Sequence, residues 1–167
     1  EARPRDVKAT LLIDTSGSMA QPQPGMSVSP NEMAQVLAFV LTNSFFNHNE
    51  ARQRLGFDPA EFEVATFDVE SRTLIDHESV RKKDFRRERF IYDMMHAIHA
   101  QGRDTKFTAA LRKYVDRLIT SKDREEKNDR ILIALTDVDL DDAQEQDLLD
   151  IIRRAEEAGV KLVSRPW

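Results

Sequence analysis

Two hydrophobic periods alternate along this chain. Lys8 to Ile13, ending in Leu11-Leu12-Ile13, is mostly apolar and predicts a strand buried on both faces, central in a parallel sheet. Ser29-Pro30-Asn31-Glu32 reads as a helix start: Ser29 can cap, Pro30 suits the first helical position, and Glu32 can close a capping box. Met33, Val36, Leu37, Val40 and Leu41 come next at helical spacing and predict its buried stripe. Glu61 to Phe67 predicts a second strand, and Asp68-Val69-Glu70-Ser71 a turn into a short strand over Arg72 to Ile75.

Phe90, Ile91, Met94, Met95 and Ile98 mark a further amphipathic helix, with its end expected near Gly102. Phe107, Ala110, Leu111, Tyr114, Val115 and Leu118 share one helical face, the clearest periodicity in the chain. Ile131 to Leu135 is an unbroken apolar strand. Leu148, Leu149, Ile152 and Ala155 give a final helix, Gly159 suits its C-terminal cap, and Val160 to Val163 is a last strand. Strands alternate with helices apart from one hairpin, which predicts a three-layer α/β fold with a mostly parallel central sheet, one antiparallel hairpin strand and helices on both faces. Residues 1–6 read as a tail and 7–167 as one domain.

Composition narrows the function classes. The net charge of −5 disfavours wholesale nucleic-acid binding. No apolar run approaches the roughly 20 residues of a membrane span, and no signal-peptide core is visible. The absence of cysteine excludes disulfides, thiolate metal sites and cysteine nucleophiles, and suits a cytoplasmic setting. The start at Glu1 rather than Met reads as a trimmed N-terminus.

The chemistry concentrates where strands end. Asp14-Thr15-Ser16-Gly17-Ser18 leaves the first strand with one carboxylate and two hydroxyls. Gly102-Arg103-Asp104-Thr105 precedes the Phe107 helix, and Leu135-Thr136-Asp137 ends the Ile131 strand. In open α/β sheets, ligands bind beyond the carboxyl ends of the strands. Hydrophobic strand followed by Asp-x-Ser-x-Ser resembles the metal-ion-dependent adhesion site of von Willebrand factor A domains, with Thr105 and Asp137 matching the second and third parts of that pattern. Ala110-Leu111 and Thr66-Phe67 also resemble the family. The likeness covers about residues 7–163 and implies a Rossmann-like fold. It implies a metal site formed by Asp14, Ser16, Ser18, Thr105 and Asp137. Every one of these ligands is an oxygen, which suits Mg²⁺, or Mn²⁺ or Ca²⁺.

The resemblance implies a non-enzymatic protein-interaction module. Its metal is completed by an Asp or Glu of a partner protein, in an adhesion role or beside an AAA+ ATPase assembly. Two positions depart from the pattern: Val138 stands where the family usually has glycine, and Asp104 where a glycine commonly precedes the threonine. The family also continues with another strand and a C-terminal helix. Their absence before Trp167 predicts an open sheet edge available for pairing or oligomerisation. Two alternatives use the same residues: a metal-dependent hydrolase, which needs a general base that the three segments do not supply, and a metal-free scaffold in which the motif only caps helices.

Other candidates read as structure. Asp137, Asp139, Asp141 and Asp142 form an acidic cluster that lacks the glycine and terminal Glu of a calcium loop, and Asp141 or Asp142 reads as the cap of the final helix. Arg81, Lys82, Lys83, Arg86, Arg87 and Arg89, mixed with Asp84 and Glu88, read as a solvated helix start, with Phe85 and Phe90 anchoring it to the core. His96 and His99 would share a helical face, without a third ligand nearby for zinc.

Overall fold

The computed structural model describes residues 6–76, 79, 82, 84–100, 105–120, 128–137 and 142–165. They form strands β1 (Asp6–Asp14), β2 (Glu61–Phe67), β3 (Ser71–Ile75), β4 (Asn128–Leu135) and β5 (Val160–Arg165). The helices are α1 (Pro30–Arg54), α2 (Arg87–Ala97), α3 (Phe107–Ile119) and α4 (Asp142–Glu157). The sheet order is β3-β2-β1-β4-β5, parallel throughout except for the antiparallel β2–β3 hairpin. This is the expected mixed sheet. The chain runs outward from β1 to β2 and β3 on one side, then returns to place β4 and β5 on the other. The order therefore reverses at β1, whose last residue is Asp14.

Strand alternation sorts the core into two halves. Leu12, Ala65, Phe67, Leu132 and Ala134 pack with α3 and α4, while Ala9, Leu11, Ile13, Phe62 and Val64 pack with α1 and α2. The sheet thus carries helices on both faces.

The start of α1 is as expected. Ser29 Oγ accepts from the Glu32 amide at 3.2 Å, and Glu32 Oε2 accepts from the Ser29 amide at 3.1 Å, a complete capping box with Pro30 in the first turn. Its buried stripe is different from the expected one. Ala34 and Ala38 are buried in the core shared with the strands, Thr42 and Phe46 are buried beside Met94 and beside Phe85 and Phe90, while Val36 and Val40 are 60 % and 51 % exposed and Leu37 and Leu41 are half-buried. Small residues let the helix lie close to the strands, so the larger β-branched pair turns outward. In α4, Ile151 and Ala155 are buried and Leu149 is exposed, another rotation of the expected face.

Helix α2 stops at Ala97, earlier than expected, so His99 lies past the helix and shares no helical face with His96. Phe85 and Phe90 do anchor this region, each packing against the Phe46 ring. Arg87 donates to Glu50, Asn43 and Asn47, and Arg89 pairs with Asp93, in keeping with a charge-mixed surface. Gly159 holds φ +76° after α4, the left-handed cap conformation that favours glycine. Gly102, Arg103, Asp104, Val138, Asp139, Asp141, Arg81, Lys83 and Trp167 lie outside the described residues.

Candidate metal centre

Asp14 ends β1 wholly buried, 0 % exposed. Its Oδ1 accepts from the Ser16 amide at 2.8 Å, and its Oδ2 accepts from Thr136 Oγ1 at 2.6 Å. The first bond comes from the local turn; the second joins residues 122 apart in sequence. Adjacency of β1 and β4 makes it: Ile13 pairs with Leu135, which brings Thr136 beside Asp14 as both strands leave the sheet.

The hydroxyls extend this group toward solvent. Ser16 Oγ and Ser18 Oγ lie 3.1 Å apart, and Ser18 Oγ donates to Asp137 Oδ1 at 3.0 Å. Ser16 is buried, Ser18 exposed and Asp137 intermediate, so the chain of oxygens runs from interior to surface. Two further contacts pin the loop. The Thr15 amide and Thr15 Oγ1 both donate to the Phe67 carbonyl, at 2.9 and 3.2 Å, tying the motif to the end of β2. Met19, in the short 3-10 turn Gly17–Ala20, is 0 % exposed and packs into the core on the α1 side.

Thr105 approaches from the third layer. It precedes α3, where the Lys106 amide donates to the Asp68 carbonyl at 2.9 Å and the Phe107 ring lies 5.7 Å from that of Phe67. Thr105 is thereby held at the same sheet edge, just past the end of β2. Asp14, Ser16, Ser18 and Asp137 thus share one hydrogen-bonded group, and Thr105 stands just before α3 at the same end of the sheet.

Two participants do not stand out as candidates in the sequence. Thr136 is the donor to Asp14; it stands inside the Leu135-Thr136-Asp137 segment, but its partner is fixed only by the β1–β4 register. The second is a polar cavity of about 530 Å³ beside Thr15, lined by Thr66, Asp68, Glu70, Arg72, His96 and His99 among others. These histidines come from α2 and its C-terminal extension, so the three motif segments give no sign of them.

The donor set suits a hard cation. It offers two carboxylates and several neutral hydroxyls, all oxygen. Among the described residues no group of three or more His, Cys, Asp or Glu side chains is placed to hold a metal. Two carboxylates alone would balance a divalent charge only if both touched the ion.

The sequence of residues 10–164 matches the model of the von Willebrand factor type A domain. The chain belongs to that family. No curated protein is significantly similar to it. Among solved structures it resembles the manganese-loaded TRAP protein of Plasmodium vivax, with a TM-score of 0.65 at 21% identity over 96% of this chain and 56% of that one. It also resembles the conserved hypothetical protein BatB of Bacteroides thetaiotaomicron (TM-score 0.60, 15% identity, 95% and 65% covered). A third is proximal thread matrix protein 1 of the mussel byssus with a zinc-occupied MIDAS motif (TM-score 0.55, 14% identity, 96% and 37% covered). This von Willebrand factor A domain therefore spans less than two thirds of each of these proteins, and at such identities the likeness shows the fold. Among its described residues, no helix is long and apolar enough to cross a membrane.

Proposed function

We propose that this domain is a metal-dependent protein-interaction module. Asp14, Ser16, Ser18, Thr105 and Asp137 hold Mg²⁺, with Mn²⁺ or Ca²⁺ as substitutes, and an Asp or Glu of a partner protein completes the ion's shell. The observation that carries this reading is a contrast between two carboxylates. Glu63 and Asp14 are both 0 % exposed. Glu63 has a guanidinium: Arg117 Nη2 donates to its Oε1 at 2.5 Å. The bonds that Asp14 accepts come from an amide and a hydroxyl, both neutral. A buried carboxylate costs several kcal/mol unless a counter-charge balances it. A cation bound beside Asp14 supplies that charge, and the hydroxyls of Ser16 and Ser18 lead from it to the surface.

The neutral hydroxyls then decide the function. They add ligand oxygens without adding negative charge, and with one of the two carboxylates acting through a water, as the family resemblance implies, a divalent ion keeps enough positive charge to attract one more carboxylate. With Ser18 exposed, that carboxylate can arrive from another protein and form a charge-assisted contact at a partly dry interface. The manganese and zinc named for TRAP and the byssus protein support the reading. So does the family's Asp-x-Ser-x-Ser pattern.

Calorimetric titration with Mg²⁺, Mn²⁺ and Ca²⁺, run beside thermal unfolding in chelator, tests it. Saturable binding and a raised Tm are expected in the parent protein, and both are lost in Asp14→Ala. Binding that survives Asp14→Ala unchanged, or no binding of any of the three ions to folded protein, overturns the reading.

A further inference from the structure

Glu63 is a charged residue in the middle of a central strand, buried without residual exposure, and metal binding at Asp14 does not use it. It lies on the sheet face that α3 covers. Thr10, its neighbour in the β1–β2 register, donates to its Oε2 at 3.4 Å, and Arg117 of α3 donates to its Oε1 at 2.5 Å. The Arg117 side chain is 42 % exposed, so the arginine reaches in from the helix surface and its guanidinium also lies over the Tyr114 ring. Two more polar ties run from the same helix to the neighbouring hairpin: Tyr114 OH with Thr73 Oγ1 at 2.8 Å, and Lys113 Nζ to Ser71 Oγ at 2.9 Å.

These ties fix where α3 sits along its own axis. The helix runs antiparallel to β2, with Phe107 beside Phe67 at one end and Arg117 bonded to Glu63 at the other. Four strand residues from Glu63 to Phe67 span about 13 Å at ~3.3 Å each. Ten helical residues from Phe107 to Arg117 span about 15 Å at ~1.5 Å each. The two lengths agree to within about 2 Å, so both ends reach their strand partners together in the observed placement, and a slip of one residue would move the helix by ~1.5 Å. The ion pair adds a directional contact to the apolar packing of α3, because the hydrogen-bonded guanidinium and carboxylate must stay within reach of one another. Thr105 stands two residues before the helix.

We propose that the Glu63–Arg117 pair is a positioning device that sets the axial register of α3 and, through it, the height of Thr105 at the metal centre. The inference rests on the metal reading of that centre for its consequence in affinity. The register itself is readable without metal. Glu63 and Arg117 are positioning residues; neither touches the ion.

The test uses Glu63→Gln and the double variant Glu63→Leu/Arg117→Leu. The latter replaces the pair with apolar side chains and keeps the fold, because a buried pair exchanged for apolar residues of similar size costs little. Both are compared with the parent protein and, for the first, in a Thr105→Ala background. Two readouts are taken: the Mg²⁺ Kd by calorimetry, and the Lys106 amide chemical shift in metal-free protein. About tenfold weaker Mg²⁺ binding is expected in both variants, the scale of losing an outer-shell support. The Lys106 resonance is expected to shift. In the Thr105→Ala background, Glu63→Gln should add nothing. A loss of affinity that persists there would mean that Glu63 acts by its charge over distance, which overturns the proposal. An unshifted Lys106 amide in the folded double variant overturns it too. Should the parent protein bind no metal, the reading of the centre fails, and the Lys106 shift alone still decides whether the pair holds the register.

Discussion

Thr136→Val should expose how much the interior of the site depends on one hydroxyl. Valine keeps the shape of threonine and removes the donor that lies 2.6 Å from Asp14 Oδ2. Thr136 and Asp14 are both buried, at 6 % and 0 % exposure, so water does not readily replace the lost bond. A hydrogen bond to a charged group contributes roughly 1.5–3 kcal/mol, and an acceptor left buried costs about as much. Taking about 2 kcal/mol, with a change of ~2–4 °C in Tm per kcal/mol for a domain of this size, Tm should fall by about 4–8 °C. Urea unfolding in chelator measures the stability term free of metal, and an unchanged m-value confirms that only stability has moved. Magnesium titration on the same samples should show affinity reduced about 10- to 100-fold, because the hydroxyl orients a first ligand without being one. A variant within about 0.5 kcal/mol of the parent, the range of an inert surface change, would refute the argument that Thr136 supports Asp14.

The packing of α1 sets two further expectations. Ser29→Ala removes the side-chain half of the capping box and should cost about 1 kcal/mol, read as a Tm lower by about 2–4 °C. Ala38→Leu forces extra volume between α1 and the sheet and should cost about 1–3 kcal/mol, whereas Val36→Lys on the opposite face should stay within about 0.5 kcal/mol in the same denaturation assay.

The reach of the sequence tracks the range of the interactions. Element types and order are local, and the hydrophobic periods place every strand and helix, with β2 over Glu61–Phe67 and the Ser29–Glu32 capping box legible directly from residue identity. The orientation of α1 is not legible. A hydrophobicity pattern favours Val36 and Val40 over Ala34 and Ala38, but closeness to a sheet depends on side-chain volume at the contact, which the pattern does not carry. The approach of Asp14 to Asp137 is legible only because family motifs link segments that physics alone leaves separate; Ser18 and Asp137 are 119 residues apart. Thr136 and Glu63 are hidden for the same reason. Each becomes significant through a partner on another element, and glutamate within a strand reads from sequence as a solvent-facing position. Periodicity says that one face of α3 is buried; it does not say that Arg117 at the edge of that face reaches a buried acid.

All three layers of the fold meet at the candidate site, and each supplies a different part. The sheet provides the two carboxylates, from β1 and from the residues just past β4, at the point where the strand order reverses. The α1 layer holds the serine loop, because Met19 is anchored in the core that Ala34 and Ala38 share. The α3 layer brings Thr105, with its register tied to the sheet through Glu63. No single element therefore contains enough of the donor set to bind an ion by itself. An unfolded chain would have to close loops of about a hundred residues before it gathered the same oxygens, at an entropic cost that the folded sheet has already met. An ion bound at this position would select the folded domain and would stabilise it in proportion to the logarithm of its concentration over Kd. For the proposed ion, charge would then come from carboxylates at the ends of two strands, and neutral ligands from the serine loop and the residue before α3.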